Sequence, residues 1–200
     1  NSERFIAKTI ASVLHQTYPH FELLVIDDGS QDRTLDLVSQ IASQDDRIHI
    51  HPYPNGGIAK SRNRGLSHAM GEYVAFLDHD DVWDAQKLEQ QLLALNAFPT
   101  AGFAYSWVKM IDEDDRLLRV LAPVSYRGNI YAKILERNFI MTASNPLIKR
   151  AFLVEIGGFD ETIYGADDWD LFIRLAQNYP AALSEHYGIN YRVVKGSGSE

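Results

Sequence analysis

"GEYVAFLDHDDVWD", residues 71–84, decides how this chain is read. The apolar run Tyr73–Leu77 has the length and composition of a buried strand. It ends in three aspartates around a histidine: Asp78, His79, Asp80 and Asp81. One acid after a strand begins a turn or caps the next helix. Three repel one another, and a bound cation relieves that repulsion. Mg2+ or Mn2+ suits such carboxylate oxygens, usually one or two of them with phosphates completing the shell.

Upstream of this stretch, "NGGIAKSRNRGLSHAMG" (55–71) reads as a helix over 58–70, opening on two glycines. "RIHI" (47–50) and "FELLVI" (21–26) read as strands, the latter ending in Asp27 and Asp28. Ile6, Ile10, Val13 and Leu14 recur at helical spacing over 4–16. Thr34, Leu37, Val38 and Ile41 mark a second helix, capped by Ser30 or Asp32. Downstream, Leu88, Leu92, Leu93 and Leu95 mark another. Strand and helix alternate, which predicts a parallel, doubly wound sheet.

After Pro99 the rhythm changes. Residues 101–111 and 116–121 read as strands joined by Asp112, Glu113, Asp114 and Asp115, taken as a solvated hairpin turn rather than a metal site. A short helix near 128–136, a strand near 144–149 and a helix near 150–156 follow. "GGFDE" is a turn, and "DDWDLFIRLAQ" (167–177) is a helix with Leu171, Ile173 and Leu175 facing inward. No repeat or linker divides the chain. The expectation is one α/β domain over 1–200, its second half of mixed topology.

Composition narrows the chemistry. The 200 residues are 46% hydrophobic and carry no cysteine, so a metal here must be held by oxygen or imidazole ligands. A net charge of −8 argues against a nucleic-acid binder. No apolar run approaches the length of a membrane span, and "KGSGSE" at the end reads as a loop or a cloning scar.

Open parallel sheets bind ligands beyond the carboxyl ends of their strands, where Asp27–Asp28 and Asp78–Asp81 fall. Gly56 and Gly57 open a helix start able to receive a phosphate or a sugar hydroxyl. Lys60, Arg62 and Arg64 are either a solvated helix face or, for Arg62, a fork for phosphate oxygens or a base edge. Asp167, Asp168 and Asp170 exceed what a helix dipole needs, and one of them lying in the crevice is a candidate general base. Of the seven histidines, His79 is either a ligand contact inside the acid cluster or an exposed turn residue, and the other six lack H-x-x-x-H spacing and read as structural or surface groups. Tyr105, Trp107 and Tyr126 are either core residues or sugar-stacking platforms.

Three segments, 12–34, 55–83 and 157–176, together resemble the inverting family 2 glycosyltransferases of GT-A fold, and they stand in the family's order. The resemblance implies a three-layer nucleotide-diphospho-sugar transferase sandwich with a mainly parallel, mixed central sheet. Residues 1–98 would bind the nucleotide-sugar and 99–200 the acceptor. It implies that Asp27 and Asp28 hold the nucleoside, commonly uridine, and that Arg62 lies near the base or diphosphate. "DHDD" is similar to the family's D-x-D signature, whose first acid contacts ribose and whose last binds Mg2+ or Mn2+. The match is either Asp78 with Asp80 or Asp80 with Asp81, giving Asp78 as the ribose contact and Asp80 and Asp81 as metal ligands. Asp168 would be the catalytic base, with Asp167 beside it, near the donor, where the family more often has glutamate.

The family's first strand has no counterpart here, so a gap in the sheet is expected. The Gln-x-x-Arg-Trp motif of processive members is absent, which favours addition of one sugar at a time. The implied reaction is metal-dependent transfer from a UDP-sugar to a glycan or glycolipid. It implies a cytoplasmic place, at most peripheral to the inner face of the membrane. The rivals are a sugar-phosphate nucleotidyltransferase and a non-catalytic sugar-nucleotide- or glycan-binding domain.

Overall fold

The computed structural model describes residues 1–194, so the terminal "KGSGSE" lies outside the described residues. The elements are α1 (Ile6–Leu14), β1 (Leu23–Asp27), α2 (Thr34–Ala42), β2 (Ile48–Pro52), α3 (Ile58–His68), β3 (Tyr73–Ala75), β4 (Val82–Trp83) and α4 (Lys87–Ala97). The second half holds β5 (Phe103–Ile111), β6 (Leu117–Val120), α5 (Tyr131–Glu136), β7 (Leu147–Lys149), α6 (Arg150–Glu155), α7 (Asp167–Asn178) and β8 (Ala181–Arg192).

The strands form two sheets. β1 and β2 pair in parallel, as the strand–helix–strand order requires. The larger sheet runs β3-β7-β5-β8-β4, with β6 on β5. There β5–β8 is parallel and the other pairings are antiparallel. The expected mixed α/β sheet is present, interrupted between its two parts as anticipated. Antiparallel pairing, rather than the mainly parallel pairing expected, is the more frequent kind: β5–β6 is a hairpin, β7 lies antiparallel to both β3 and β5, and β4 lies antiparallel to β8.

Period-two alternation along β5 builds the layers. Phe103 and Tyr105 pack on one face with Ile134, Leu153, Leu171, Phe172 and Leu175 of α5, α6 and α7. Ala104 and Val108 pack on the other with Leu88 and Leu95 of α4 and Val13 of α1. Ile6, Ile10, Val38 and Ile48 close a smaller core between α1, α2 and β2.

β8 is the strand that the sequence pattern does not announce. "AALSEHYGINYR" lacks the β-branched alternation of a central strand, and its register against β5 slips past Glu185 and His186. The turn Asp112–Asp115 is a hairpin turn as expected, but an anchored one. Asp112 Oδ1 accepts the N–H groups of Asp114 and Arg116, Glu113 pairs with Arg4, and Asp115 pairs with Lys8 and Arg192. No helix among the described residues is long and apolar enough to cross a membrane.

Candidate active site

The site is assembled around one guanidinium. Arg62 projects from α3, which presents a single buried residue, Ala59, to the core and so leaves its other faces free for polar work. Its Nη2 donates to Asp78 Oδ1 at 2.5 Å and its Nη1 to Asp167 Oδ2 at 2.5 Å. The ring of Phe159 lies 5.1 Å beneath it. Burial works against the charge of Arg62, but Asp78, then Asp167 and Asp168, more than restore it, and its pKa rises. The acids after β3 and those opening α7 are thereby brought together across nearly ninety positions of sequence.

Asp168 stands beside this pair. Burial pushes its carboxyl up to about 6, opposed by Arg62 and by the Trp169 N–H, with Asp167 and Asp78 adding to the rise. Trp169 donates its indole N–H to the Ile134 carbonyl at 2.7 Å, which fixes the first turn of α7 against α5. The "GGFDE" turn docks on α3 through Asn63, whose side chain bonds the Phe159 N–H and carbonyl and the Glu161 carboxylate. Gly158, at φ +67°, approaches so closely that an added Cβ would lie 2.6 Å from Asn63 Oδ1.

The Asp78–Asp81 loop is held from three sides. A polar stripe on α1 grips its backbone: Thr9 Oγ1 donates to the His79 and Asp81 carbonyls, and Ser12 Oγ accepts the Trp83 N–H. Ser144 Oγ accepts the Asp78 N–H at 3.0 Å. Arg192, whose side chain is fully buried, donates to the carbonyls of Asp80 and Asp112 and to Asp115 Oδ1. Sequence reasoning missed Thr9, Ser144 and Arg192, because each acts on backbone groups from a helix face, a loop or an unrecognised strand. No motif marks them.

The acids themselves divide. Asp81 is 1% exposed, accepts the Arg192 N–H at 2.9 Å and faces Thr142 Oγ1 at 3.4 Å. Burial, then Asp78, push its carboxyl up to about 8 against the hydrogen bonds of Ser144 and Arg192, with Asp80 adding to the rise. Asp80 is also raised, by burial and by Asp78 against the pull of His79, and its carboxylate bonds no other described residue. Asp27 Oδ2 accepts the Gly29 and Ser30 N–H groups. Asp28 binds both N–H groups that open α3, Gly56 and Gly57, and Arg64. Burial opposes its charge, yet Gly57, Gly56, Ser61 and Arg64 together lower its pKa. The helix start expected to receive a phosphate is thus already occupied by Asp28.

Mutually repelling carboxylates with one open member suit Mg2+ or Mn2+, which takes one or two protein oxygens and leaves the rest to water and phosphate. Among the described residues no three His, Cys, Asp or Glu side chains surround a common point, so the protein alone does not complete a shell. Of the aromatic candidates, Tyr105 is core, donating its hydroxyl to the Tyr126 carbonyl, whereas Trp107 lines a cleft beside β5.

The α/β sandwich with its mixed sheet is of GT-A type. Over residues 1–198 the chain matches the family described as "Glycosyltransferase like family 2", and it belongs to that family. It is 32% identical over 159 residues to the E. coli enzyme WfgD, "UDP-Glc:alpha-D-GlcNAc-diphosphoundecaprenol beta-1,3-glucosyltransferase", covering 75% of this chain and 62% of that one. It is 42% identical over 159 residues to an uncharacterized glycosyltransferase of Haemophilus influenzae, covering 74% and 64%. The crystal structure of S. aureus TarS 1–349 in complex with UDP-GlcNAc superposes with a TM-score of 0.79 at 22% identity, covering 98% of this chain and 56% of that fragment. The chain spans less than two thirds of each of these relatives.

Proposed function

We propose that this chain is the catalytic unit of an inverting, metal-assisted glycosyltransferase. It moves a sugar from a uridine diphosphate donor to a hydroxyl of a glycan or lipid-linked acceptor at the cytoplasmic side of a membrane. The observation that carries the reading is the Arg62 bridge. By binding Asp78 and Asp167 together, Arg62 puts a carboxyl with a pKa of about 6 next to the acidic loop after β3. A base in that range is poised for proton abstraction near neutrality. TarS has been crystallised with UDP-GlcNAc and WfgD is named for UDP-Glc, which supports a uridine diphosphate donor. The diphosphoundecaprenol in the name of WfgD supports a lipid-linked acceptor.

In this mechanism Asp168 takes the proton of the acceptor hydroxyl while that oxygen attacks the anomeric carbon. The bond to the diphosphate breaks on the opposite face, and the nucleoside diphosphate leaves with the electron pair. Asp80, with Asp78 or Asp81, would hold Mg2+ or Mn2+, which when bound offsets the charge of the leaving diphosphate. Asp28 and Asp27 fix the loops that border the nucleoside. Arg62 keeps Asp78 and Asp167 paired and Asp168 within reach of ionisation.

The test is nucleoside diphosphate release from a panel of donors, with and without acceptor extract and chelator. Acceptor-dependent release that chelator abolishes supports the reading. Pyrophosphate production would instead identify a nucleotidyltransferase, and binding without turnover a non-catalytic domain.

A further inference from the structure

Beside β5 lies a cleft of about 350 Å³, and none of its lining residues belongs to the acid cluster around Arg62. Its floor and walls include Trp107, Phe139, Met141 and Val124, and its rim carries Arg119 of β6 and Arg137, which follows α5. Among the described residues no aspartate or glutamate lines it, although the chain has 27 acids against 19 lysines and arginines. Every other cation described at the active site is paired: Arg62 with Asp78 and Asp167, Arg64 with Asp28, Arg192 with Asp115. Arg119 and Arg137 have no side-chain hydrogen bond, ion pair or ring contact among the described residues.

The cleft is built rather than incidental. Trp107 donates its indole N–H to the Val124 carbonyl at 2.9 Å, which pins the wall to the floor. Met141 adopts φ +81°, a left-handed conformation that costs a non-glycine residue energy. Asn138 Oδ1 holds it there by accepting the Met141 N–H at 3.0 Å. The next residue is Thr142, whose hydroxyl faces Asp78 and Asp81. Cleft and acid loop are therefore joined by one peptide bond.

We infer that this cleft is an anion subsite for the acceptor. A phosphate of the acceptor sits between Arg119 and Arg137, and the apolar part next to that phosphate rests on Trp107, Phe139 and Met141. Guanidinium forks match phosphate oxygens in shape and charge. An anion is also the ligand that an acidic protein would otherwise repel. The inference rests on the glycosyltransferase reading for the word acceptor; the binding of phosphate does not. The same chemistry could come from a lipid phosphate or from a sugar phosphate.

The test measures binding with the donor site filled by saturating UDP. Octyl phosphate and glucose 1-phosphate are titrated by calorimetry into the wild-type protein and into Arg119→Gln, Arg137→Gln and the double variant. Octyl glucoside serves as the uncharged control. The expected result is saturable binding of the phosphates, about tenfold weaker for each guanidinium removed, with UDP affinity unchanged. Tighter octyl phosphate identifies a lipid headgroup, and tighter glucose 1-phosphate a sugar phosphate. Phosphate binding that survives the double substitution, octyl glucoside binding as tight as octyl phosphate, or no phosphate binding at all overturns the subsite. Failure to bind UDP would instead strike the glycosyltransferase reading and leave the phosphate result standing. Both arginines are exposed and unpartnered, so neither substitution endangers the fold; UDP binding by each variant verifies this.

Discussion

If Asp168 is the base, the acid limb of the pH–rate profile is set by its surroundings, and the numbers separate this from an ordinary aspartate. With a pKa of about 6, half of the Asp168 side chains are ionised at pH 6, roughly nine tenths at pH 7 and roughly one tenth at pH 5. kcat/KM for the free enzyme should therefore fall about tenfold between pH 7 and pH 5. An aspartate at the ordinary value of 3.8 would lose less than about a tenth of its activity over the same range. Arg62 favours the charged form of Asp168, so Arg62→Met should move the limb to higher pH by about one unit or more. That variant also leaves Asp78 and Asp167 without their partner, at a cost of about 3–5 kcal/mol, so the profile is taken below its melting range. Repeating the measurement at two Mg2+ concentrations isolates the base. A limb caused by protonation of metal ligands shifts with metal concentration, whereas the Asp168 limb does not. A wild-type limb below pH 5, or one indifferent to Arg62→Met, would refute the assignment.

Other consequences can be checked alongside. Asp168→Asn should lower kcat by about 10²–10⁴-fold while UDP affinity, read by calorimetry, stays within error. The raised pKa of Asp81, about 8, means that the folded protein holds a proton which the unfolded chain releases above the ordinary value of 3.8. The sign follows: this group's contribution to stability is present below pH 4 and is lost as pH rises toward 8. Asp81→Asn should flatten that slope and raise Tm at pH 8 by at least about 2 °C; an equal change at pH 4 would contradict the argument. Gly157 and Gly158 form a matched pair, at φ +83° and +67°, but an added Cβ meets nothing within 4 Å at Gly157 and Asn63 Oδ1 at 2.6 Å at Gly158. Gly157→Ala should cost about 1–2 kcal/mol of strain alone, and Gly158→Ala clearly more in urea unfolding, since it also breaks the Asn63 bonds to Phe159.

The sequence made the acid clusters and most elements legible because their signals are local. Tyr73–Leu77 is an apolar run with a charged end, and α7 announces itself by an acidic first turn and inward leucines. β8 was hidden for the opposite reason. Its small residues Ala181, Ala182, Ser184 and Gly188 are buried because β5 beside them and the helices on the two faces cover them, which is a property of the neighbours and not of the strand. The same holds for Arg192. In sequence it is one basic residue after "GINY", and only the fold places its guanidinium on the Asp80 and Asp112 carbonyls. Gly56 and Gly57 misled in a different way. Two open N–H groups at a helix start look like an anion site, and they are one, but the anion is the protein's own Asp28.

That substitution of an internal carboxylate for an external ligand bears on the ambiguity in "DHDD". Aspartates in this protein do two kinds of work, and hydrogen bonding to backbone N–H groups tells them apart. Asp27 takes two such bonds, Asp28 two more, and Asp81 one from Arg192. These acids are committed to holding loops in place, and a metal would have to compete with bonds already made. Asp80 bonds no other described residue through its carboxylate, while its carbonyl is clamped by Arg192. A fixed backbone with a free, repelled carboxylate is what a cation ligand requires. Both readings of the motif share Asp80, and the difference between them is whether Asp78 or Asp81 joins it. Asp78 is already tied to Arg62 and Asp81 is buried, so the partner must release one bond to serve. Breaking the Arg62 bridge would also disturb Asp168, whereas freeing Asp81 asks for its proton and for its bonds from Ser144, Thr142 and the Arg192 N–H, and leaves Asp168 untouched. Metal-dependent nucleotide binding should therefore be lost in Asp80→Ala. Against that, Asp81→Asn should weaken binding chiefly above pH 8, where the wild-type carboxyl is ionised. Equal losses at pH 6 and pH 9 would place Asp81 in the shell irrespective of its burial.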